Sequence, residues 1–114
     1  MELKLPSQSR KHRGYRTQKV FADYIRPTFP YAEPTGAGRP GSDVLGTPGI
    51  HWELKARTGF QPAAALKQVN EGKNVDDIGV VVLRLNGQGE QSIGKWVALV
   101  EVDTMIKLLR EAGY

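Results

Sequence analysis

The sequence predicts an α/β sandwich: one mixed β-sheet flanked by helices, in a single domain. Three observations carry that expectation. Two apolar runs with several β-branched residues, 78–85 (IGVVVLRL) and 95–102 (KWVALVEV), read as core strands. Segments with helical apolar spacing lie before, between and after the strand candidates. A chain of 114 residues holds one modest core and has little area for a second.

Residues 1–13 are polar, basic and aperiodic and read as a flexible arm, which leaves 14–114 as the domain. From Gly14 to Arg26, Val20, Phe21, Tyr24 and Ile25 share a helical face, and Pro27 stops the helix. Residues 29–33, aromatic and flanked by prolines, form a poor strand or a turn into one. Residues 35–42 (TGAGRPGS) are a loop. Asp43-Val44-Leu45 and residues 50–56 read as two short strands joined by the turn Gly46-Thr47-Pro48-Gly49. Pro62 opens a second helix to about Gly72, with Leu66 and Val69 inward. Asn86-Gly87 begins the loop between the two core strands. Asp103 is the expected N-cap of a last helix that carries Met105, Ile106, Leu108 and Leu109 and closes at Gly113.

Composition narrows the function. No apolar run approaches the ~18 residues of a membrane span, and the first eleven residues lack a signal-peptide core, so a cytoplasmic protein is expected. With no cysteine, disulfides and thiolate metal sites are excluded. Residues 1–31 carry a charge of +5 and the remainder −1. A basic arm on a near-neutral body suits a polyanion, with a solvated tail as the plain alternative.

Alternation along Ile50-His51-Trp52-Glu53-Leu54-Lys55-Ala56 puts Trp52, Leu54 and Ala56 on a core face and His51, Glu53 and Lys55 on the other. A carboxylate and an ammonium then stand roughly 6–7 Å apart along the strand. The tight turn brings Asp43 alongside, next to a glycine loop that lets a nucleic-acid backbone approach. Asp43, Glu53 and the Leu54 carbonyl make a hard-oxygen set suited to Mg²⁺. Lys55 would orient or deprotonate a water and offset charge growing in a phosphoryl transition state. A plain Glu53–Lys55 surface salt bridge is the competing reading.

Asp43, nine intervening residues and then Glu53-Leu54-Lys55 resemble the split acid–(Asp/Glu)-x-Lys motif of the PD-(D/E)XK nuclease superfamily. The string from Thr35 to Asp43, preceded by Arg16-Thr17-Gln18-Lys19, is similar to small phage-encoded Holliday-junction resolvases of that superfamily, over about residues 13–113. The resemblance implies a restriction-endonuclease-like mixed sheet flanked by helices and Mg²⁺-dependent hydrolysis (Mn²⁺ as a substitute) at two metals. It also implies a homodimer with one site per subunit, paired nicks across branched DNA and four-way junctions, and the host cytoplasm as compartment. Archaeal members place a glutamate on the first helix, where this chain has Gln18. That amide could hold a water or a phosphate but is a weaker ligand, which bears on how many metals are held.

Lys11, Arg13, Arg16, Arg39, Ser42 and Arg57 are the expected DNA contacts. Ser42 also reads as a turn residue, Arg39 and Arg57 as solvated cations, and His51 as an auxiliary base or a packing residue. Gln68 could reach the site or lie on the surface. A nickase or duplex endonuclease of the same fold, and a non-catalytic DNA-binding module, are the rival functions.

Overall fold

The first helix, α1, runs Pro6–Ile25 in the computed structural model of the protein, which describes residues 6–36, 39–56 and 61–114, with side chains from residue 14 onward. It begins eight residues before the expected start at Gly14, so residues 6–13 of the expected arm are helical. Apolar periodicity cannot detect a helical stretch as polar as this one, whereas a proline at the first helical position favours the start. The inward side is Thr17, Gln18, Phe21 and Ala22, all buried, with Ile25 partly so. Tyr24, expected on that face, is 54% exposed. The helix ends before Pro27, where the N–H groups of Thr28 and Phe29 donate to the Ile25 carbonyl.

A two-residue ribbon follows, β1 (Glu33–Pro34) antiparallel to β2 (Val44–Leu45). The expected β2–β3 hairpin does not form. β3 (Ile50–Lys55) meets the segment before β2 through isolated bonds instead. The Ser42 hydroxyl accepts the Trp52 N–H at 2.9 Å, occupying a position a ladder carbonyl would take.

α2 (Pro62–Gly72) has the bounds expected of it, with Pro62 in the first turn and Ala65 and Val69 buried. It carries the chain from β3 to β4 (Ile78–Leu83), which pairs parallel to β3 from Ile50↔Ile78 to Lys55↔Leu83. A 3₁₀ helix (Glu90–Lys95) runs up to the first residue of the expected strand 95–102, and Val102 at its far end belongs to the last helix. Only β5 (Val97–Leu99) pairs antiparallel with β4. The sheet is therefore mixed, in the order β3-β4-β5.

β4 is buried on both faces, which is why it reads as a continuous apolar run. Val80 and Val82 pack with Trp52 and Leu54 against Phe21 and Ala22 of α1. Val81 and Leu83 pack against Ala65 and Val69 of α2. Phe21 meets Trp52 edge-on, with ring centroids 5.0 Å apart. At Gly79 α2 comes so close that a Cβ would stand 2.6 Å from Asn70 Oδ1, so any side chain there would have to push the Asn70 amide aside and crowd Val69.

The last helix, α3 (Val102–Glu111), has Glu101 at its N-cap position without a side-chain cap bond, and Asp103 lies inside its first turn instead of at the cap. Gly113, with φ +98°, closes it as expected. None of its residues is buried. Among the described residues, no helix is long and apolar enough to cross a membrane.

Candidate active site

The extended backbone of β3 presents alternate residues to opposite edges. Odd residues turn to β4, and Lys55 accepts the Arg84 N–H at 2.9 Å there. Even residues turn to the outer edge, where Trp52 accepts the Asp43 N–H at 2.9 Å. The Leu54 N–H continues that row and donates to Asp43 Oδ2 at 2.7 Å. The carbonyl of an extended residue points the same way as its N–H, so the Leu54 oxygen lies on the edge occupied by the Asp43 carboxylate.

Asp43 is fixed from three sides. Its own carbonyl accepts the Thr35 N–H at 3.2 Å, and its Oδ1 accepts from Gln18 Nε2 at 3.3 Å. The Gln18 oxygen takes the Gly36 N–H at 3.1 Å. Gly36 holds φ +103°, a left-handed conformation that costs glycine no steric penalty. The amide thus ties the helix, the acid and the start of the glycine loop together. Thr35 closes the neck of that loop, its hydroxyl donating to the Ser42 carbonyl. Thr35 was legible in the sequence only as part of the loop. Its role needs the β1–β2 ribbon, and two-residue strands leave no pattern.

Glu53 and Lys55 share the face turned to α2 and form a 3.0 Å ion pair, with side chains only 14% and 17% exposed. This is a largely desolvated pair, not the surface salt bridge of the competing reading. Lys55 Nζ also lies 3.5 Å from Gln68 Oε1 on α2, which brings Gln68 to the edge of the cluster. Burial pushes the Asp43 carboxyl up to about 6, and the Glu53 charge adds to that. The Leu54 N–H, Lys55 and Gln18 pull the other way. Two acids close together in a partly dry setting form a site short of positive charge.

Other expected site residues fall elsewhere. The Ser42 hydroxyl donates to the Val44 carbonyl at 2.8 Å while accepting from Trp52, so it splices β2 to β3 and is not a free phosphate ligand. Arg16 binds Glu90 with two bonds of 2.7 and 3.0 Å on the exposed surface, so its guanidinium is already paired within the chain. His51 is buried against Gly72 at the end of α2. On the same face it stands two residues, roughly 6–7 Å, before Glu53 and four before Lys55, with its ring packed at the end of α2. Arg39 is exposed beside Gly36 and has no ion-pair partner among the described residues. The side chains of Lys11 and Arg13, and all of Arg57, lie outside the described residues.

The described residues hold no group of three or more His, Cys, Asp or Glu side chains placed for a metal, so any cation would rest on two carboxylates and backbone or water oxygens. Compared with protein-family models, curated proteins and solved structures, the chain gives no match.

Proposed function

We propose that this chain is a Mg²⁺-dependent endonuclease that hydrolyses phosphodiesters in branched DNA, four-way junctions foremost. The observation that carries the reading is the junction of Asp43 with Leu54. The acid is held by a backbone N–H on the edge that presents the Leu54 carbonyl, and the adjoining residues are Glu53 and Lys55.

The donor set fits a small hard cation. Mg²⁺ takes oxygen ligands and keeps several waters, so one or two carboxylates and a carbonyl suffice. The raised affinity of Asp43 for a proton comes first from burial, with the Glu53 charge adding to it, and a bound cation would offset both. Asp43, Glu53 and the Leu54 carbonyl would hold the ion, which when bound supplies Lewis-acid polarisation of the phosphoryl group. The chain's own contribution is positional and electrostatic. Gln18 and the Leu54 N–H aim the Asp43 oxygens. Lys55 moves its ammonium between Glu53 and the phosphate as negative charge grows there. Gly36 and the exposed Arg39 give the DNA backbone a close approach and a cation. One water adds to phosphorus, one P–O bond breaks, and the leaving oxygen takes up a proton.

A four-way junction offers paired scissile phosphates and each chain offers one cluster, so the working unit is a homodimer with two-fold symmetry. The test is incubation of the full chain with a labelled four-way junction and a matched duplex, with Mg²⁺ and with EDTA. Paired cuts in the junction, dependent on metal and sparing the duplex, are expected. Junction binding without cleavage in Mg²⁺ or Mn²⁺ would leave a non-catalytic DNA-binding module. Equal cutting of duplex would leave a general endonuclease.

A further inference from the structure

α3 turns its more apolar side to solvent. Val102, Met105, Ile106 and Leu109 recur at i, i+3, i+4 and i+7 and form one stripe, yet they are 76, 44, 43 and 38% exposed. The least exposed residues of the helix, Thr104 and Leu108, lie on another side and mark the flank turned to the body of the protein. A ten-residue helix is too short to be stable in water by itself, so the outward stripe needs a covering surface.

The charges on the helix say what covers it. At 100° per residue, Asp103 and Arg110 border the same edge of the stripe, one near each end. Neither has an ion-pair partner among the described residues. When two copies of α3 pack antiparallel about a two-fold axis, like edges face each other. Asp103 of one copy then meets Arg110 of the other, and the symmetry repeats the pair. A surface that complements itself in this way is what an isologous dimer requires.

We infer that α3 is the dimer surface of this protein, pairing antiparallel with α3 of a second copy through Val102, Met105, Ile106 and Leu109. This names the surface for the homodimer proposed above and does not depend on nuclease activity. The stripe offers on the order of 400 Å² per copy, about half of a standard interface, so α3 alone makes a weak contact whose affinity does not follow from its area.

Light scattering and sedimentation of the full chain at micromolar to sub-millimolar concentration test this directly. The wild type is expected at twice 12.6 kDa, and Ile106→Glu at 12.6 kDa with an unchanged circular dichroism spectrum. Asp103→Arg alone should raise the dimer dissociation constant roughly tenfold, because both symmetric pairs are lost and replaced by repulsion. Adding Arg110→Asp to Asp103→Arg should restore it. A monomeric wild type would overturn the inference. A dimer indifferent to Ile106→Glu would overturn this surface while leaving a dimer elsewhere. A charge swap that fails to rescue would overturn the antiparallel pairing. A dimer with these responses but no cleavage would defeat the nuclease reading and leave the surface standing.

Discussion

Gln18 donates its amide N–H to Asp43 Oδ1 at 3.3 Å while its carbonyl oxygen takes the Gly36 N–H at 3.1 Å, so one neutral side chain holds the acid and the glycine loop in a fixed relation. The arrangement suits an ionised Asp43, which accepts but does not donate. A carboxylate in place of the amide would keep the bond to Gly36 and lose the bond to Asp43.

Gln18→Glu is therefore expected to destabilise the metal-free protein by about 1–3 kcal/mol, through like-charge contact and a lost hydrogen bond. It should also bind Mg²⁺ more tightly, because a third carboxylate adds a hard ligand. Thermal denaturation in EDTA and in Mg²⁺ separates the two effects. A melting-temperature gain on adding Mg²⁺ no larger than the wild type's would show that Gln18 is remote from the cation.

Asp43 makes stability depend on pH with a definite sign. Its carboxyl titrates near 6 in the folded chain against 3.8 as the ordinary value, so the native state holds the extra proton between those limits. The resulting stabilisation is full below about 4 and is lost as pH rises through about 6. In EDTA the wild type should lose about 1–3 kcal/mol relative to Asp43→Asn between pH 4 and 7, burial being incomplete. Urea titrations across that range measure the difference in slope, which a constant offset between the proteins does not affect. Parallel curves would show that the carboxyl is not held in this environment.

Legibility in the sequence followed how local each cause was. Pro62 and the spacing of Ala65, Leu66 and Val69 give α2 its expected bounds, since cap and face lie within eleven residues. The Glu53–Lys55 pair was legible because alternation on one strand forces it. The partner of Arg16 was not, because Glu90 lies 74 residues away and only the fold brings it near. The β2–β3 hairpin was expected from its turn, but the Ser42 hydroxyl competes for the Trp52 N–H. The apolar residues of α3 were legible, yet periodicity states which residues can share a face and not what covers it.

Glu53 and Lys55 should show separable structural and catalytic effects. With side chains 14% and 17% exposed, removing one partner strands a largely desolvated charge, so Lys55→Met is expected to cost about 1–3 kcal/mol. Glu53→Gln added to Lys55→Met should recover most of that loss, because no net charge is then buried. Junction cleavage should fall by two orders of magnitude or more in both single variants and in the double variant. Recovery of activity together with stability in the double variant would make the pair purely structural.

Arg16 and Glu90 set the last expectation, because their pairing holds a cation that DNA would otherwise use. The guanidinium makes both of its bonds to Glu90 on the exposed surface, and each charge holds the other ionised. The pair raises the guanidinium above its usual range and lowers the carboxyl. Exposed pairs are weak, so substitution should leave folding stability almost unchanged. Binding is a different matter. Glu90→Gln removes one negative charge near the α1 surface and frees the Arg16 fork for a phosphate. Affinity for a duplex arm should rise, and the logarithmic salt slope should steepen by up to ~0.9 for the added contact. Arg16→Ala alone should change affinity little, since in the wild type that side chain is already paired. Fluorescence anisotropy in EDTA over a range of salt concentrations measures both quantities for the two variants. A large loss of binding in Arg16→Ala, with no gain in Glu90→Gln, would mean that Arg16 leaves Glu90 for the DNA in the complex. It would then return Arg16 to the direct contacts expected from the sequence.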